Sequence, residues 1–106
     1  MNQDIKAQWL KALRSGKYQQ GFKYLRSDET HYCPLGVLCD IVDPSGWHVV
    51  GVIDPHYFHN ETTNCLGREV FAQARLYDVD AHNVMAMNDG KRYAFSAIAQ
   101  WIEENV

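Results

Sequence analysis

Apolar residues recur at helical spacing at both ends of the chain. Ile5, Trp9 and Leu13, with Ala12, mark one face of a first helix, and Gly16 suits the left-handed position beyond its last turn. Asn2 or Asp4 is placed to cap its start. Phe95, Ile98, Ala99 and Ile102 repeat as i, i+3, i+4, i+7 and predict a final amphipathic helix. Between these ends the densest apolar run is Cys33 to Val42, with Pro34 near its start. It reads as a short buried helix, with a strand as the alternative, and Asp43-Pro44-Ser45-Gly46 ends it in a turn.

Trp47 to Ile53 is rich in β-formers and predicts a strand. Asp54-Pro55 turns the chain, and Tyr57 and Phe58 begin a second strand, giving one small hairpin. Residues 17–32 read as an ordered loop or short strand, because Tyr18, Phe22, Tyr24 and Leu25 are too apolar for a tether. Two further helices are expected in 67–90: one over 67–76 on Val70, Phe71 and Ala74, and one capped by Asp80 and stopped by Asn88-Asp89-Gly90. The fold class is α+β, a mostly helical single domain over residues 1–106.

Charge adds a second pattern. Residues 28–66 contain no lysine or arginine and carry Asp28, Glu29, Asp40, Asp43, Asp54 and Glu61. Residues 1–27 carry six basic residues against Asp4 alone, so the formal net charge of −3 hides two unlike blocks. No apolar run is long enough to span a bilayer, and the polar Met1–Lys6 lacks the apolar stretch of a signal peptide. The expected location is cytoplasmic, with no membrane partner. Three cysteines, an odd number, then read as buried thiols.

Candidate chemistry is sparse. Lys17, Tyr18, Lys23, Tyr24 and Arg26 interleave charge with stacking rings, and with His56 and His59 they form the candidate partner- or ligand-binding set, suited to a host protein or a small anionic nucleotide. The bland reading packs these aromatics under the first helix with the charges pointing outward. Cys33, Cys39, His56 and His59 could ligate zinc, but Cys-x5-Cys and His-x2-His match no common structural spacing, and neither a metal nor a cofactor is expected. Asp78 to Asp89 starts like a calcium loop but has Asn83 and Asp89 where glycine and glutamate are needed. A Cys33 nucleophile with a nearby histidine is a minor enzymatic alternative. Duplex DNA is an unlikely partner on charge, since the last helix carries Glu103 and Glu104 and no basic residue.

Four blocks carry a resemblance: Trp9-Leu-Lys-Ala-Leu-Arg-Ser-Gly-Lys-Tyr-Gln-Gln-Gly21, Cys33-Pro-Leu-Gly-Val-Leu-Cys-Asp40, Met87-Asn-Asp89, and Phe95-Ser-Ala-Ile-Ala-Gln-Trp-Ile-Glu103. In this order they resemble a family of small proteins common in tailed phages and prophages. Members often have a second cysteine where this chain has Pro34, and Trp47 to Leu66 is the least family-like span. The resemblance implies a phage or prophage origin and an accessory role, and assigns no catalytic residue; the non-enzymatic expectation comes from the absence of a catalytic set in the sequence. The leading expectation is a protein that binds and modulates or inhibits a host protein, a counter-defence inhibitor being one example. A nucleotide-sequestering protein is the runner-up, and a homo-oligomer is compatible with either.

Overall fold

A computed structural model describes all of residues 1–106. The first helix, α1, spans Gln3–Arg14, with the Asn2 side chain accepting the Ile5 N–H at its start. Gly16 follows it at φ +78°, a conformation that costs glycine nothing. Trp9 and Leu13 are buried, and the Trp9 indole donates to the Pro34 carbonyl at 2.8 Å. That bond ties α1 to the second helix, α2 (Pro34–Val42), which is buried along its first six residues.

Between them, two residues at Gln19–Gln20 (β1) pair in parallel with His31–Tyr32 (β2), so residues 17–32 hold both the loop and the short-strand structure that their apolar content allows. Gly36 of α2 faces the carbonyl of Leu25 so closely that a Cβ would sit 1.7 Å from its oxygen. Only glycine lets the helix meet the loop there. The Cys33 thiol accepts the Gly36 N–H at 3.3 Å and serves as the N-cap of α2.

A single 3₁₀ turn at Pro44–Gly46 leads into the hairpin, β3 (Trp47–Val50) with β4 (His56–His59), paired antiparallel from Trp47 opposite His59 to Val50 opposite His56. The strand expected to reach Ile53 ends at Val50. Gly51 adopts φ +96°, and its Cα lies so near the Asp54 carbonyl that a Cβ would meet the oxygen at 2.7 Å, so the chain turns three residues early.

Three helices complete the chain: α3 (Arg68–Ala74), α4 (Asp78–Met85) and α5 (Phe95–Asn105). Asp80 was expected as a cap but lies inside the first turn of α4 beside Asp78, where both carboxylates favour the helix dipole; Tyr77 holds the cap position. Asn88-Asp89-Gly90 does not stop the helix. The chain continues through a π-helical turn, Ala86–Gly90, because the Asn88 side chain points inward and is fully buried. One core cluster joins all five helices, from Trp9 through Leu38 and Val84 to Ile102. The basic residues of α1 meet α5, where Arg14 pairs with Glu103 at 3.3 Å; at this exposure such a pair adds about 0–1 kcal/mol. No helix is long and apolar enough to cross a membrane.

Candidate functional site

The hairpin is fixed at its base and bare at its tip. At the base, the Asp40 carboxylate accepts from two directions: the Tyr18 hydroxyl on Oδ2 and the Trp47 indole on Oδ1 at 3.0 Å. Burial first, and the Asp40 hydrogen bond and charge second, push the Tyr18 phenol well above its usual range. Tyr18, Tyr32, Trp47 and His59 then form a chain of edge-to-face contacts, with centroids 4.9, 5.8 and 4.8 Å apart. His59 is fully buried and donates from Nε2 to the Asp43 carbonyl at 2.8 Å, leaving Nδ1 without a partner. A Cβ on Gly46 would meet that imidazole at 2.6 Å, so the glycine lets the ring close under the strand.

Arg26 completes the anchor. Its guanidinium lies 4.6 Å from the Tyr57 ring, 4.8 Å from Tyr32 and 5.4 Å from Trp47. Nε donates to the Asp28 carbonyl and Nη2 to that of Glu29. The loop carrying these two acids is thereby held against the hairpin.

Beyond the base nothing covers the strands. Val49 and Val50 are exposed, Val52 is 98 % exposed and Ile53 100 %. The outer edge of β3 makes no backbone hydrogen bond to any other segment. Alternation puts Trp47, Val49, Tyr57 and His59 on the face toward the body, with Val49 beyond its cover, while His48, Val50, His56 and Phe58 share the opposite face, on which His48 stacks on Phe58 at 5.4 Å. Four apolar side chains at one protruding tip are not a scatter of surface residues; contiguous exposure of this kind marks interaction sites.

The residues singled out from sequence divide. Tyr24, Arg26 and His56 line one cleft of about 340 Å³ beside the hairpin, together with Asp54 and Tyr57. The Asp54 carboxylate, 3.4 Å from His56 Nε2, sits where an anion would be received, and two of the three Arg26 nitrogens are already used. Tyr18 and His59 are structural members of the base. Lys17 covers the Tyr18 ring at 5.4 Å, away from the cleft. Lys23 is held at φ +72° with its N–H donating to Asp89. The bland packing reading fits Tyr18 but not Tyr24, which is 43 % exposed.

Cys33 and Cys39 are buried in α2, and burial pushes the Cys33 thiol up to about 12. A thiol in that state and place caps a helix rather than attacking a substrate. The sulfurs do not meet His56 or His59, and no group of three or more histidine, cysteine or acidic side chains is arranged to hold a metal.

Sequence reasoning missed the tip as a site. Its signal was present, since Val52-Ile53 falls between Gly51 and Asp54-Pro55, two turn-formers that leave an apolar pair no strand to join.

A family model described as Domain of unknown function (DUF8296) matches residues 1–70, which include α1, α2 and the whole hairpin. No curated protein and no solved structure matches the chain.

Proposed function

The chain belongs to the family described as Domain of unknown function (DUF8296). Beyond that membership, we propose that it is a non-enzymatic accessory protein of phage type. It works by docking its β3–β4 hairpin onto a host protein and modulating or inhibiting it. The observation that carries this reading is the uncovered apolar tip, Val49, Val50, Val52 and Ile53, on a hairpin whose base is anchored. A solvated apolar tip gains about 25 cal/mol for each Å² it buries on a partner, and its fixed base spares the ordering cost of binding. The likeness of four sequence blocks to phage and prophage proteins supports the setting, with counter-defence as one form of it. Cys33, as a buried cap, lends no support to the cysteine-enzyme alternative.

The test is affinity capture from a host lysate with the intact chain and with Val52→Ser/Ile53→Ser. A host protein held at fixed stoichiometry by the first and released by the second is the expected result. Nothing above background, or capture unchanged by the double substitution, overturns the reading.

A further inference from the structure

The hairpin stands at an acidic end of the molecule. Asp54 lies at its tip with a side chain 90 % exposed. Asp28 and Glu29 are exposed on the loop that Arg26 holds against it, and exposed Glu61 lines the groove on the far side of Trp47 and His48. None of these four carboxylates forms an ion pair with a lysine or arginine; Asp28 pairs with His31 and Asp54 with His56. Arg68 and Glu69, which also line that groove, offset one another. The remaining cation at this end, Arg26, is half-buried among three rings and donates to backbone carbonyls. The lysine-free block in the sequence has become an acidic flank to the hairpin: Asp54 at the apolar tip, Asp28 and Glu29 on the loop beside it, and Glu61 beyond its base.

Resting on the docking reading above, we infer that the partner surface is a protein groove, apolar in its floor and rimmed by lysine or arginine. Like charge disfavours the other candidates. A nucleic acid or an anionic membrane would bring phosphates toward Asp54, Glu29 and Glu61. A second copy docked tip to tip would set Asp54 against its own counterpart. A cationic rim gains first from Asp54 at the tip and then from Asp28 and Glu29 on the flank, and such complementarity raises the association rate and selects against wrong partners.

The test uses the ¹⁵N-labelled protein and two peptides sharing one apolar core, one flanked by lysines and one by glutamates. The lysine peptide is expected to shift the amides of Val49–Ile53, Asp54 and Glu29, and to bind roughly tenfold more tightly than the glutamate peptide at low salt. Glu29→Lys/Asp54→Lys, at exposed positions, should remove that preference. Equal binding of both peptides at the tip, or a glutamate preference, overturns the inference and leaves the docking reading standing. If neither peptide shifts the hairpin, or the lysine peptide settles on Asp78 and Asp80 of α4, both fail. A dimer in sedimentation that Val52→Ser/Ile53→Ser dissolves would replace the cationic partner with a second copy.

Discussion

Gln20 donates from Nε2 to Asn88 Oδ1 at 2.7 Å, although 68 residues separate them. Asn88 Nδ2 in turn donates to the Gly21 carbonyl at 3.0 Å and to Asp89 Oδ1, which also receives the Lys23 N–H. Gln20 donates a second time, to the Tyr93 carbonyl. The π-helical turn and the left-handed Lys23 are the two backbone irregularities this network holds. The network centres on the buried Asn88 amide and runs out to partly exposed groups, and its buried part is of the kind that specifies one arrangement of its neighbours.

Replacing Asn88 by alanine leaves Gly21 without its donor and Gln20 without its acceptor. The expected loss is about 2–3 kcal/mol, from the cost of unpaired buried polar groups. Urea unfolding measures it, and a loss below about 0.5 kcal/mol, the level of an ordinary surface change, would remove the network from the list of structural determinants.

Gly36→Ala places a methyl 1.7 Å from the Leu25 oxygen, and backbone faces backbone there. The variant should lose at least about 3 kcal/mol or fail to accumulate as folded protein. Gly90→Ala is the control, since open space surrounds that position. Equal melting temperatures for the two would contradict the close approach of α2 to the loop.

Tyr18 gives a signed pH dependence. Its proton is held more tightly in the folded state than in the unfolded chain, whose phenol titrates near 10. The stabilisation is complete below about pH 10 and is lost as pH rises beyond it. Tyr18→Phe should cost about 1 kcal/mol at neutral pH and flatten the fall in stability on the alkaline side. Parallel alkaline profiles for the two proteins would count against the Tyr18–Asp40 bond.

The cysteines should separate by exposure. Cys65 is exposed, whereas Cys33 and Cys39 are buried and their thiols are raised by that burial. Iodoacetamide under native conditions should add one label, and three after unfolding, by intact mass. Rapid native labelling of Cys33 would reopen the enzymatic alternative.

What could be read in the chain was what local chemistry decides. The periodicity of Trp9 and Leu13, the Pro34 start of α2 and the Ile98–Ile102 face each depend on neighbours within two turns, and all three helices form where expected. The Asn88 stop failed because a contact across the molecule, to Gln20 and Gly21, outweighs a short-range turn signal. The β3 overrun to Ile53 failed for the opposite reason: β propensity describes a half-buried pleat, and no second layer exists to bury Val52. Of the candidate site, Tyr24, Arg26 and His56 were visible as residue types. The tip left a trace in Val52-Ile53 between two turn-formers, but its exposure, and the place of Asp54 beside it, depend on which side of the hairpin stays uncovered.

The arrangement of anchored base and bare tip has an evolutionary reading. Trp47, Gly46 and His59 bear on the body of the protein, and Gly51 is fixed by the hairpin turn, whereas the side chains of Val52 and Ile53 touch almost nothing. Substitutions at those two positions can accumulate at little cost in stability, so the chemistry of the tip is open to rewriting on an unchanged scaffold.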